Sequence, residues 1–155
     1  MGYNYGKAFE SKFRNDWMKA FPNCFLYRLP DIQSGYFNSS NPCDFISFED
    51  KKLYLIECKS IHGNTLPFAD IPQYDRLLRY INKPDILTGI IVWWVDLDKI
   101  AWVPIEEIKK MKSDKKKSIH INMLNNKKYN LLEIPSIKKR VFLDSDYTIL
   151  KNLGD

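Results

Sequence analysis

The chain has 155 residues, 45% of them apolar and 14% aromatic, enough to bury a core and far from the make-up of a disordered chain. No run approaches the roughly 20 apolar residues of a membrane span, and the polar start Met-Gly-Tyr-Asn-Tyr-Gly-Lys carries no apolar signal core, so a cytoplasmic protein with no membrane partner is expected. The formal charge is +5 but uneven: residues 1–100 hold 12 Lys/Arg against 12 Asp/Glu, and residues 101–155 hold 12 against 7.

In chain order, Phe9, Phe13 and Trp17 recur at helical spacing and predict a helix near residues 5–20, ended by Pro22. Cys24 to Leu29 predicts a short strand closed by Pro30, and residues 30–43 carry loop chemistry. Asp44–Phe48 and Leu53–Lys59 predict a hairpin about the polar turn Glu49-Asp50-Lys51-Lys52. Thr65–Ala69 reads as a connection. A helix is predicted from Ile71 to Asn82, with Asp70 as its N-cap and Pro72 in its first turn. Gly89–Val95 is apolar on both faces, as a central strand requires, and the Asp96-Leu97-Asp98 turn leads into a strand from Ile100 to Val103. Pro104-Ile105-Glu106-Glu107 opens a helix with acids first and lysines last, matching the helix dipole. A strand is expected around Lys138–Leu143 and a terminal helix around Ser145–Leu153. The order is that of one α/β domain spanning residues 1–155, built on a small mixed sheet.

Side chains alternate along a strand. Leu53, Leu55, Glu57 and Lys59 therefore share one face, and Tyr54, Ile56 and Cys58 the other. A tight hairpin brings Asp44, at the start of the partner strand, close to Glu57 and Lys59, so that two carboxylates and an ammonium converge at one sheet edge. An ion pair decorating a strand is the plain alternative. Against it, charges that interrupt the apolar run Leu-Tyr-Leu-Ile are costly unless paired or bound to a cation. Hard oxygen donors of this kind suit Mg²⁺, or Mn²⁺ in its place, rather than zinc. Such a set serves phosphodiester hydrolysis, in which a metal activates water and neutralises developing charge. A neighbouring carboxylate favours the charged ammonium, so Lys59 reads as an orienter and electrostatic stabiliser rather than a base.

Pro42-Cys43-Asp44 followed by Ile56-Glu57-Cys58-Lys59 resembles the PD-(D/E)XK nuclease motif. The continuation Ser60-Ile61-His62-Gly63-Asn64-Thr65-Leu66-Pro67-Phe68, with Ile71 and Gln73, is similar to the RecU-type Holliday junction resolvases. So are the start Asn4-Tyr5-Gly6-Lys7-Ala8-Phe9-Glu10 and the late Lys116-Lys117-Ser118-Ile119. The resemblance implies a restriction-endonuclease-like core in which Asp44, Glu57 and the Cys58 carbonyl ligate the metal and Lys59 is the motif lysine. It also brings Glu10 of the first helix and Gln73 of the second to the catalytic site, and Thr65 to the DNA. Glu10 has a plain alternative in a surface pair with Arg14, and Gln73 in an exposed position beside Arg76. The chain departs from the pattern twice. Cys43 separates the motif proline from Asp44, and residues 30–43 are too few for the stalk with which that family engages the junction centre.

The basic excess gathers at Lys109, Lys110, Lys112, Lys115, Lys116 and Lys117, with Lys127, Lys128, Lys138, Lys139 and Arg140 beyond. It reads as a phosphate-backbone footprint, against a solvated, silent surface. Cys24, Cys43 and Cys58 have no Cys-x-x-Cys spacing, which predicts reduced thiols rather than disulfides or a zinc site. His62 and His120 read as ordinary loop or strand histidines, and Trp93 and Trp94 as core. The leading expectation is a Mg²⁺-dependent, homodimeric endonuclease that cleaves four-way junctions in branched DNA and needs no small-molecule cofactor; a two-fold dimer would suit paired incisions. The alternatives are a PD-(D/E)XK nuclease acting on linear duplex and a DNA-binding protein without catalysis.

Overall fold

A computed structural model describes residues 3–31 and 41–154. Most of the expected 30–43 loop, including the segment that stands in place of the stalk, lies outside the described residues.

Helix α1 (Tyr5–Ala20) begins at Asn4, whose side chain accepts from the Lys7 N–H, satisfying one of the free donors of a helix start. Strands β1 (Phe25–Arg28), β2 (Phe45–Glu49) and β3 (Lys52–Ile61) follow as an antiparallel meander. The β2–β3 turn places both central residues, Asp50 and Lys51, in the left-handed region at φ 49° and 67°, the geometry whose twist fits a two-residue hairpin. It fixes the register Glu49↔Lys52 through Phe45↔Ile56, so the next rung sets Asp44 opposite Glu57.

Strand β5 (Ile86–Trp94) pairs parallel with β3, and β6 (Lys99–Pro104) and β8 (Leu132–Glu133) extend the sheet antiparallel, in the order β1-β2-β3-β5-β6-β8. The alternation seen in the sequence sorts the core into two layers. Tyr54, Ile56 and Cys58 pack with Trp93 and Trp102 beneath Phe9, Phe13 and Trp17 of α1. Leu55, Val92, Trp94 and Val103 pack on the other face with Leu77 and with Ile105, Ile108 and Met111 of α3 (Ile105–Ser113). Trp93 and Trp94 are thus both core, one on each side. Gly89 is required by close approach: a Cβ there would lie 2.5 Å from the Trp102 indole across the β5–β6 pair.

Several expected elements differ. Helix α2 covers only Tyr74–Leu78, preceded by Gln73, and Asp70 ends a 3-10 turn (Phe68–Asp70) instead of capping it. Beyond Leu78 the chain continues through three-residue bonds, Tyr80 N–H to the Leu77 carbonyl and Lys83 N–H to that of Tyr80, which close turns rather than an α-helix. The Thr65–Ala69 connection contains a strand, β4 (Thr65–Pro67), paired with β7 (Ser118–His120). In place of a strand over 138–143, β9 (Ser136–Lys138) and β10 (Leu143–Ser145) form a hairpin whose turn occupies the middle of that range. The terminal segment Tyr147–Asn152 is a 3-10 helix. No helix among the described residues is long and apolar enough to cross a membrane.

Candidate active site

The site opens where β2 parts from β3. The Asp44 N–H donates to the Ile56 carbonyl at 3.1 Å, the last rung of the antiparallel ladder. The next N–H of β3, that of Cys58, is taken by the Asp44 side chain, Oδ2 at 2.9 Å. A carboxylate thus replaces a backbone carbonyl as acceptor and is held rigidly against β3. Beside it lies a cleft of about 230 Å³ lined by Arg28, Asp44, Glu57 and Gln73.

Glu57 is 3% exposed. Its Oε2 lies 3.2 Å from the Lys59 ammonium, while Oε1 is buried with no hydrogen-bond partner among the described residues. Burial, and then the Asp44 charge, push the Glu57 carboxyl up to about 8, against the pull of Lys59. Such an arrangement is costly in the absence of a cation. Gln73 lines this cleft and its Oε1 is buried with no hydrogen-bond partner among the described residues, so it belongs to the cleft rather than to the exposed position beside Arg76.

Glu10 is brought in from α1 by Arg28. The guanidinium donates through Nε and Nη2 to Glu10 Oε2 at 3.1 and 3.0 Å, donates to the Leu29 carbonyl, and stands 3.7 Å from Asp44 Oδ1. Burial and the neighbouring Asp44 raise the Glu10 carboxyl while Arg28 lowers it. The expected alternative partner Arg14 is replaced by Arg28. Sequence reasoning missed Arg28, because no local spacing sets the end of β1 against Glu10 of α1.

Asp44, Glu57, Lys59, Glu10 and Gln73 are therefore brought together. Cys58 contributes its main chain: its N–H holds Asp44, while its thiol is buried in the α1 layer and raised well above its ordinary value by burial. Among the described residues no group of three His, Cys, Asp or Glu side chains forms a cage. The donor set, two carboxylates with one orphaned buried oxygen, fits a hard cation that keeps several waters. The three cysteines are free.

The predicted DNA-contacting residues lie apart from the cleft. Thr65 pairs with His120 across β4–β7. Lys109, Lys110 and Lys112 are exposed on α3, and Lys115, Lys116 and Lys117 on the turn after it. The Lys112 ammonium rests 4.1 Å over the ring of Tyr74, the neighbour of Gln73, and the Lys117 carbonyl accepts from the Phe68 N–H. His62, for which the sequence offered no partner, meets Asp96, Nδ1 to Oδ1 at 3.0 Å, in an exposed setting.

The sequence matches no protein-family profile and no curated protein. Its structure is similar to that of Hjc, a Holliday junction resolvase from the archaeal hyperthermophile Archaeoglobus fulgidus, with a TM-score of 0.50 and 17% identity over 66% of this chain and 78% of that one. At this identity the likeness is one of fold. The chain has the α/β core expected from its sequence, a mixed central sheet flanked by helices, in the fold of that protein.

Proposed function

We propose that the chain is an endodeoxyribonuclease that hydrolyses phosphodiester bonds in branched DNA with Mg²⁺, for which Mn²⁺ can substitute. The observation that carries this reading is the buried Glu57 Oε1, without a hydrogen-bond partner among the described residues, beside Asp44 and Lys59 at an open cleft. The nuclease-type fold, similar to that of an archaeal junction resolvase, supports it.

Asp44 and Glu57 would hold the metal with the Cys58 carbonyl. A bound Mg²⁺ supplies water activation and charge neutralisation at the scissile phosphate. Lys59, held beside Glu57, keeps its ammonium as a fixed positive charge that orients the attacking water and stabilises the anionic transition state. Arg28 balances the Glu10 and Asp44 carboxylates, and Gln73 offers its amide at the cleft wall. The exposed lysines of α3 and the turn after it, with Thr65, form the backbone-contacting surface. A two-fold homodimer, in the cytoplasm, would present paired sites to the two-fold-related strands of a junction.

The test is cleavage of a labelled four-way junction and a matched linear duplex, each in Mg²⁺ and in Ca²⁺. Cutting of the junction in Mg²⁺ alone, abolished by Asp44→Ala, is the expected result. Equal cutting of the duplex would remove junction selectivity while leaving the nuclease. Binding without cutting, indifferent to Asp44→Ala, would leave a DNA-binding protein whose charged triad is structural.

A further inference from the structure

The last third of the chain closes a second concavity, of about 330 Å³, lined by Lys116, His120, Asn122, Asn126, Lys128 and Tyr129 among others. It forms because β7 ends at His120 in a 3-10 turn, Ile121–Leu124, after which the chain returns to α3. There the Lys110 ammonium donates to the Lys128 carbonyl at 2.8 Å and the Asn130 N–H donates to Glu107 at 3.0 Å.

The hydrogen bonds around it leave donors. His120 Nδ1 accepts from the Asn122 N–H at 3.0 Å, which puts the proton of the neutral ring on Nε2. Asn126 Oδ1 accepts from the Lys128 N–H at 2.9 Å, which leaves its NH₂ group as the free end. The acceptor ends of His120 and Asn126 are thus engaged by main-chain N–H groups, while the Asn122 amide, also in the lining, can turn its NH₂ group to a ligand. The nearby carboxylate, Asp114, is engaged as well, by the Tyr129 hydroxyl at 2.7 Å and the Lys128 ammonium at 3.6 Å. His120 and Asn126 thus present N–H donors beside the Lys116 ammonium and the Lys128 ammonium that Asp114 shares, a set suited to an acceptor-only anion.

We propose that this concavity seats a backbone phosphate of the DNA other than the scissile one, with His120, Asn126 and Lys128 as phosphate-contacting residues alongside Lys116. The inference rests on the reading of the chain as a DNA nuclease. Cations stand at both sites: Lys112 sits over Tyr74, the neighbour of the cleft residue Gln73, and Lys116, four residues on, lines the concavity.

Asn126→Asp tests it with little disturbance, because Oδ1 remains to accept from the Lys128 N–H while the donor becomes a repelling carboxylate. Asn125→Asp, at an exposed neighbour outside the concavity, changes the net charge equally. Duplex binding is measured by fluorescence anisotropy in Ca²⁺, and the His120 ring resonances are followed by NMR on addition of inorganic phosphate. Asn126→Asp should weaken duplex binding about tenfold, the loss expected for one charge-assisted hydrogen bond, and Asn125→Asp less than about twofold. Phosphate should shift the His120 resonances in the wild type and not in Asn126→Asp. Equal losses in the two variants, or His120 resonances that phosphate does not move, would overturn the seat even if the wild type cleaves DNA in Mg²⁺. A phosphate-dependent His120 shift in a wild-type protein that neither binds nor cuts DNA would overturn DNA as the source of the phosphate.

Discussion

Glu57 is the residue on which sequence and energetics meet. Its place on the strand was legible from period-two alternation, because Leu53, Leu55, Glu57 and Lys59 can only share a face. The sequence showed that a charge in this apolar run is costly unless paired; it could not show that Oε1 finds no partner among the described residues, which is a property of packing. Burial holds this carboxyl near 8, against its ordinary 4.5. Between those values the native chain keeps a proton that the unfolded chain has released. The group therefore lowers stability progressively as pH rises from about 4.5 to about 8, and has no such effect below that window, where both states are protonated. Glu57→Gln, which never ionises, should raise the metal-free Tm at pH 8 by roughly 2–4 °C, on the order of 1 kcal/mol, and leave it nearly unchanged at pH 4. A gain of the same size at both pH values, read by calorimetry, would locate the effect in shape rather than charge. Arg28 was not legible: its role depends on α1 crossing the end of β1, and no local spacing encodes that.

At the scale of elements, long periodic segments were readable and short ones were not. Phe9, Phe13 and Trp17 mark α1 because one stripe of three rings must be buried. The same stripe carries Glu10, one residue off its centre, toward the strand ends. The ribbons β4–β7 and β9–β10 have strands of three residues, too short for alternation to rise above chance; their pairing is set by tertiary neighbours. Asp70 looked like a cap because of its residue type, but the helix starts at Tyr74, and a cap acts only at the first free N–H groups. Gly89 shows the converse, a residue silent in the sequence and decisive in the sheet. With Trp102 lying 2.5 Å from the position of an added Cβ, Gly89→Ala should cost about 1–3 kcal/mol, visible as a lower urea midpoint with an unchanged m-value. A neutral result would mean that the indole can move aside.

Across the whole molecule, charge follows the chain. The first hundred residues are balanced, and the excess that makes the net charge +5 lies beyond them, where the structure exposes it on α3 and the turn after it. Replacing Lys115, Lys116 and Lys117 together with Ala should weaken duplex binding and flatten its dependence on salt, by about one in the log–log slope for each phosphate no longer neutralised. An unchanged slope in binding titrations over roughly 50 to 200 mM salt would take this turn off the DNA surface.

The residues gathered at the cleft run from Glu10 to Gln73, whereas the basic surface is drawn almost wholly from residues after 104. Chemistry and grip are thus written on successive stretches of one polypeptide, meeting where Lys112 covers Tyr74. If the chain acts as proposed, the two can drift separately in evolution: the exposed lysines of α3 and the turn after it can be added to or recharged, changing which DNA is held, while the buried face of α3 and the carboxylates stay as they are. On that reading, hybrids that carry those surface residues from a relative of different substrate preference inherit the donor's choice of DNA and keep the recipient's metal requirement.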